Sequence, residues 1–239
     1  METQKHIFKD KQSLAEAFAE YLSKQIAAAE STCSIALSGG STPKILFDYL
    51  AREYKDKIDW NKVKLFWGDE RCVPPDDDDS NYKMTKTHLL DHIDIPEENI
   101  FRIKGEHAPF QESARYGKLL IHELPLLYNI PQFDMIILGM GEDGHTASIF
   151  PDQMDLLQHA DLTPVAQHPV SGQKRISLSG PVLNSARNVC FLVTGASKAE
   201  KIATIFGRKS GYLQYPVAHI QPSQGELHWW MDQDAAAEL

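Results

Sequence analysis

The stretch that decides the fold is Phe133-Asp134-Met135-Ile136-Ile137-Leu138, which runs directly into Gly139-Met140-Gly141-Glu142-Asp143-Gly144-His145. A short apolar run bounded by glycine is typical of a β-strand that is buried on both faces. We therefore predict a buried strand that ends in a polar, glycine-rich loop. The loop places His145 directly after a glycine and two residues from Asp143.

Apolar runs alternate with helix-like segments on both sides of this strand. The other predicted strands are 33–37, 63–67 and 189–193, and the predicted helices are 12–30, 44–50, 110–128 and two that begin near 80 and 198. Such alternation argues for an α/β fold with a largely parallel sheet and helices on both faces. Segments 162–168 and 175–179 are predicted as further strands, in a small side sheet. Because no linker interrupts the pattern, we expect residues 1–239 to form a single domain.

Composition narrows the class of protein. The net charge of −9 gives the surface no general attraction for nucleic acid or anionic lipid, so we expect neither a nucleic-acid nor a membrane partner. Cys33, Cys72 and Cys190 are far apart and lack metal-binding spacing, as expected of reduced thiols in a cytosolic protein. With no run of apolar residues long enough to cross a bilayer, we expect a soluble, cytoplasmic protein.

Ligands of open α/β sheets bind at the carboxyl ends of the strands. Four predicted strands end in polar loops, which we expect to form one site: Gly39-Gly40-Ser41-Thr42, Asp69-Glu70-Arg71, Asp143-Gly144-His145 and Ser197-Lys198.

The first of these loops has the character of an anion site. Gly39 and Gly40 allow close backbone approach, Ser41 or Thr42 can cap the following helix, and Pro43 suits its first turn. A helix N-terminus of this kind attracts anions. The alternative is a tight turn with an ordinary cap.

The glycine loop after residue 138 suggests acid–base chemistry. A neutral imidazole at His145, exposed and oriented by its neighbours, can accept a proton from water and act as a general base. The alternative is a surface or capping histidine. The glycines also satisfy a GxGxxG pattern, but the loop lies mid-chain and lacks an acidic ribose partner, so a dinucleotide site is rejected.

Two further features have competing interpretations. Arg71 follows Asp69 and Glu70, so it contacts a ligand, forms a salt-bridge cluster that orders the loop, or does both. The acidic run 76–79 and the scattered histidines lack metal-site spacing, and there is no GxSxG motif. We predict no metal, no cofactor and no covalent nucleophile.

Five segments together resemble the 6-phosphogluconolactonase family, in the order that the family has them. They are SGGSTP (38–43), GDERCVPPDDDDSNY (68–82), FDMIILGMGEDGHTASIFP (133–151), RISLSGPVLNSAR (175–187) and TGASKAEKI (194–202). The resemblance implies a Rossmann-like sheet and hydrolysis of a phosphorylated sugar lactone, 6-phospho-D-glucono-1,5-lactone, to 6-phosphogluconate in the oxidative pentose phosphate pathway.

The resemblance also implies roles for individual residues. His145 would be the general base, with Asp143 or a backbone carbonyl holding its tautomer, and Arg71 or backbone N–H groups would stabilise the oxyanion. Arg175 and Lys198 would bind the phosphate together with residues 40–42. For Arg175 the alternative is a charge on an edge strand, and for Lys198 a solvated lysine. We expect a monomer or a small homo-oligomer.

Two other functions remain as alternatives: glucosamine-6-phosphate deamination and a non-catalytic sugar-phosphate sensor. The deaminases resemble this chain in fold, but their glutamate five places after the histidine corresponds to Phe150, which cannot transfer a proton. A sensor would need neither the histidine loop nor a catalytic base, and no helix-turn-helix or basic patch accompanies this chain.

Overall fold

The computed structural model describes residues 3–239, which form twelve strands and six α-helices. The strands are β1 (Gln4–Phe8), β2 (Cys33–Leu37), β3 (Val63–Trp67), β4 (Asp69–Arg71), β5 (Ile100–Phe101), β6 (Leu126–Leu127), β7 (Ile130–Pro131), β8 (Met135–Leu138), β9 (Val165–Gln167), β10 (Lys174–Ser177), β11 (Asn188–Val193) and β12 (Glu226–Asp232). The helices are α1 (Lys11–Ala28), α2 (Ser41–Glu53), α3 (Asn81–His88), α4 (Pro109–Glu123), α5 (Gly180–Ser185) and α6 (Ala199–Phe206).

Seven strands form the main sheet, in the order β1-β12-β11-β8-β2-β3-β5. Every neighbouring pair is parallel. All residues of β2 and β8 are buried, as expected for strands that are covered on both faces. The predicted α/β class and the largely parallel sheet are confirmed, and β8 lies at the centre of the sheet.

A small antiparallel sheet in the order β4-β10-β9 lies beside the main one. Its β9 and β10 correspond to the two segments that were predicted as a side sheet. Across β4 and β10, Arg71 lies opposite Arg175 and Asp69 lies opposite Ser177. A further pair of strands, β6 and β7, forms a two-stranded sheet.

The structure corrects two predicted elements. Residues 69–71 were predicted as a loop but form β4, because they pair with a strand that lies about a hundred residues later in the chain. The helix predicted to extend to residue 128 ends at Glu123, since Leu124 precedes Pro125 and a residue before proline disfavours the helical conformation.

The hydrophobic core extends over both sides of the main sheet and includes the two tryptophans of β12. Trp229 and Trp230 are 2% and 4% exposed, and the Trp229 ring stacks on Phe191 of β11 at 4.5 Å. Both tryptophans therefore pack in the core. No helix within residues 3–239 combines the length and apolar character that crossing a membrane requires.

Phe191 is fully buried in β11, so Phe191→Ala should lower the free energy of unfolding by about 3–5 kcal/mol through the cavity that it leaves. Urea denaturation measures this. The matched control is Phe110→Ala, because Phe110 is 73% exposed and its loss should change the free energy by less than about 0.5 kcal/mol. Equal effects of the two substitutions would contradict the assignment of the core.

Candidate active site

A cavity of about 240 Å³ opens at the carboxyl ends of β2, β8 and β11, with β4 and β10 forming a further wall. Its lining includes eight of the nine residues that were predicted for the site: Gly39, Gly40, Ser41, Thr42, Arg71, His145, Arg175 and Lys198. The ninth, Asp143, does not line the cavity but hydrogen-bonds the His145 side chain. The structure therefore brings together residues from five separate parts of the chain.

Asp143 holds the His145 ring in one orientation. The Nδ1 atom of His145 lies 2.6 Å from Oδ1 of Asp143, and the same oxygen accepts the backbone N–H of His145 at 3.1 Å. Burial raises the pKa of Asp143, but the hydrogen bonds from the His145 side chain and backbone outweigh it and lower the pKa to about 2. The carboxylate therefore stays ionised at neutral pH, which favours a proton on Nδ1 and leaves the Nε2 lone pair facing outward.

The loop that carries the histidine is tightly packed. A Cβ atom on Gly141 would overlap Nδ1 of His145 and Oδ1 of Asp143, so glycine is required beneath the ring. Ala147 adopts a φ of +49°, a strained conformation for a non-glycine residue. Hydrogen bonds on both sides hold it there, from Thr146 Oγ1 to the Gly139 carbonyl and from the Ser148 N–H to Ser177 Oγ.

Helix α2 points its N-terminus into the cavity. The N-cap is Gly40, with a φ of +109°, and no side chain among residues 3–239 caps the helix. The prediction that Ser41 or Thr42 caps it is therefore wrong: the Thr42 hydroxyl instead hydrogen-bonds the hydroxyl of Thr194 at 2.8 Å. The first N–H groups of the helix are left available to an anion.

The side sheet contributes two arginines that directly oppose each other. Nε of Arg71 and Nε of Arg175 are both buried, and no atom of residues 3–239 accepts a hydrogen bond from either. Arg71 donates through Nη1 to the carbonyl of Asp79. Like charges that face each other across a sheet are destabilising, so this arrangement indicates a place for a negatively charged ligand.

Within residues 3–239 the two arginines lack the surroundings of a salt-bridge cluster or of an edge charge, although Arg71 does help to order the 76–79 loop through the Asp79 carbonyl. The salt bridges of arginine within residues 3–239 involve Arg52, Arg102, Arg115 and Arg187, so Arg71 has no carboxylate partner. Arg175 is 9% exposed on the central strand of its sheet, and burial and the charge of Arg71 lower its pKa. It is therefore not an edge charge.

Lys198 lies at the far side of the cavity, in the residue before α6. Burial lowers the pKa of its ammonium group, against the opposing effects of Glu142 and Asp143. A half-buried cation at a helix N-terminus is unfavourable unless an anion accompanies it. The surroundings of Lys198 therefore favour an anion-binding role over the alternative of a solvated lysine.

Asn81 was not predicted as a site residue, but it lines the cavity and donates through Nδ2 to the Asp69 carbonyl at 3.0 Å. The buried Glu70 fixes its position by accepting the backbone N–H groups of Asn81 and Tyr82, both at 2.8 Å. The available signal was Ser80, which caps α3 by accepting the N–H of Lys83. Because Ser80 caps α3 a short distance along the chain from Glu70, the first turn of this helix, which contains Asn81, lies at the site.

Metal chemistry has no visible ligand set within residues 3–239. No group of three or more histidine, cysteine, aspartate and glutamate side chains there is close enough to hold a metal ion. What the arrangement provides is an oriented imidazole, two opposed arginines whose Nε atoms are buried, a lysine and a helix N-terminus.

Comparison with known proteins finds similarity over nearly the whole chain. Residues 9–229 match the family model described as glucosamine-6-phosphate isomerases/6-phosphogluconolactonase. The 6-phosphogluconolactonase of Haemophilus influenzae is 45% identical over 86% of this chain and 87% of its own. Two solved structures are similar throughout: the devB protein (TM-score 0.95, 40% identity, both chains covered fully) and the 6-phosphogluconolactonase of Trypanosoma brucei (TM-score 0.89, 30% identity, 100% and 99% covered).

Because a Cβ on Gly141 would overlap the imidazole, Gly141→Ala should displace the ring of His145 and shift its side-chain NMR signals. Gly139→Ala is the matched control, since a Cβ there would meet no atom within 4 Å. Unchanged His145 signals in the Gly141 variant would show that the loop does not hold the ring in the way described.

Proposed function

The chain belongs to the glucosamine-6-phosphate isomerase/6-phosphogluconolactonase family, and we propose that its cavity hydrolyses 6-phospho-D-glucono-1,5-lactone to 6-phosphogluconate, a step of the oxidative pentose phosphate pathway. The observation that carries this proposal is the imidazole of His145, held by Asp143 and facing a cavity with unpaired cations. Lactone hydrolysis requires both a base for water and a positive site for a phosphorylated substrate.

His145 acts as the general base. Its Nε2 atom takes a proton from a water molecule as the oxygen attacks the lactone carbonyl, and a tetrahedral intermediate forms. The imidazolium then returns the proton to the ring oxygen as the C–O bond breaks, which releases the open-chain acid. The carboxylate of Asp143 supports this cycle by fixing the tautomer and by stabilising the charged ring.

The cations have separate tasks. Arg71 stabilises the oxyanion of the intermediate, together with backbone N–H groups of the glycine loops, an effect typically worth about 2.7–4 kcal/mol per donor. Arg175 and Lys198 bind the phosphate, with help from the Gly40–Thr42 turn at the N-terminus of α2. Support for this assignment comes from the burial of Arg175, the half-buried position of Lys198 and the absence of a salt bridge to either side chain within residues 3–239.

Phe150, whose ring lies next to that of His145, disfavours deamination of an amino sugar. Phe150 is fully buried and its ring centre lies 4.7 Å from that of the imidazole, while the Arg175 guanidinium lies 5.6 Å from the same phenyl ring. An apolar ring here offers no proton for ring opening or for an amine leaving group. Deamination of glucosamine 6-phosphate is therefore not the function that we propose.

We also propose that the reaction takes place in the cytoplasm. The three cysteines are unpaired, and burial raises the pKa of Cys33 to about 12 and of Cys72 to about 11. Unpaired thiols are usual in a reducing compartment. We keep the expectation of a monomer or small homo-oligomer as part of this proposal.

Replacement of the base should abolish most turnover. His145→Ala should lower kcat for freshly prepared lactone about 10²- to 10⁴-fold, because general-base catalysis contributes that much, while 6-phosphogluconate still binds. His122→Ala is the control, since its side chain is 83% exposed. Full activity of the His145 variant would refute the mechanism, and release of ammonia from glucosamine 6-phosphate without lactone hydrolysis would refute the function.

Removal of a phosphate-binding cation should instead act on KM. Lys198→Ala and Arg175→Ala should each raise KM for the lactone about tenfold or more, the cost of losing a hydrogen bond to a charged group. Lys209→Ala, at an exposed lysine just beyond α6, serves as the control. An unchanged KM in both variants would remove these residues from the phosphate site.

A further inference from the structure

Ser148 lies between a buried carboxylate and one of the cavity arginines. Its hydroxyl donates to Oδ2 of Asp69 at 2.6 Å and accepts from Nη1 of Arg175 at 3.5 Å. Ser148 is fully buried, and Asp69 and Arg175 are 4% and 9% exposed. The three side chains therefore form a chain of hydrogen bonds shielded from water, and only its outer two members line the cavity.

Strand pairing places Asp69 and Arg175 within reach of each other. Asp69 and Arg71 are two residues apart on β4, and their partners Ser177 and Arg175 are two apart on β10, so all four side chains share one face. Diagonal neighbours on one face are within reach of long side chains, and Asp69 and Arg175 form such a diagonal. Asp69 is also the carboxylate with the largest favourable electrostatic effect on Arg175.

A direct ion pair would nevertheless compromise the anion site. A guanidinium that is paired with a carboxylate has part of its charge neutralised and its donors occupied, so a phosphate would have to compete for them. In the described chain no salt bridge of this kind forms. The other contact of the Asp69 carboxylate is Nδ2 of Asn81, at 3.4 Å.

We infer that Ser148 is a positioning residue: its hydroxyl occupies Asp69 and keeps this carboxylate one hydrogen bond away from Arg175, which leaves the guanidinium free for the phosphate. This inference rests on the proposed phosphate site. Its consequence is that Asp69 orients Arg175 without neutralising it. Without the hydroxyl, the Asp69 carboxylate turns towards Arg175 and competes with the substrate.

The test is a double-mutant cycle with Ser148→Ala and Asp69→Asn, in which kcat, KM and the Kd of 6-phosphogluconate are measured. Ser148→Ala should raise KM and Kd about tenfold with little change in kcat, because a competing ion pair weakens phosphate binding and leaves the base untouched. In the Asp69→Asn background the same substitution should change KM and Kd by less than about twofold, since no charge remains to compete.

Ser179→Ala is the matched control. Ser179 is also fully buried, but its hydroxyl has no hydrogen-bond partner within residues 3–239, and it does not line the cavity. This variant should keep KM within about twofold of the starting value. Thermal unfolding of all variants establishes that each is folded.

The outcomes separate the inference from the function on which it rests. An unchanged KM in Arg175→Ala would remove the phosphate site, and the inference with it. If Arg175→Ala raises KM but Ser148→Ala does not, the positioning role alone fails. If Ser148→Ala raises KM equally whether Asp69 is intact or replaced by asparagine, Ser148 acts only through packing, and the inference is overturned.

Discussion

The site depends on the parallel direction of every strand in the main sheet. Because β2, β8 and β11 run the same way, their carboxyl ends meet at one edge, and the loop that follows each strand must open there. The Gly40 turn, the His145 loop and Lys198 follow these three strands in the chain. If one of these three strands ran antiparallel to the others, the group that follows it would lie at the opposite edge of the sheet, about a strand length away.

Charge distribution adds a second constraint. The chain has a net charge of −9, yet its cavity concentrates Arg71, Arg175 and Lys198 beside the N-terminus of α2. Bringing partly buried cations together is costly unless a ligand supplies the opposite charge. The fold thus maintains a cluster of like charges whose unfavourable free energy falls when a phosphorylated anion binds. The ionised Asp143 does not neutralise this cluster, because it interacts with His145.

Much of the fold could be predicted, because buried strands and amphipathic helices leave a local periodic signal. The strands at 33–37, 63–67 and 189–193 were predicted well, as was the central run of β8. Short strands leave too few residues for such a signal, so the prediction of a loop at β4 was wrong. The predicted cap of α2 was wrong as well, since Thr42 bonds a partner, Thr194, that lies 152 residues away.

The sequence by itself determined that His145 and Asp143 share one glycine loop, where local backbone geometry keeps them close, and the structure then decided that Asp143 and not a backbone carbonyl holds the ring. It also determined which residue types stand at the strand ends. Only the tertiary structure decided that Arg71 faces Arg175 and that Ser148 separates Asp69 from that arginine. These contacts join positions up to about a hundred residues apart, and they arise from strand pairing and burial, which no local pattern encodes.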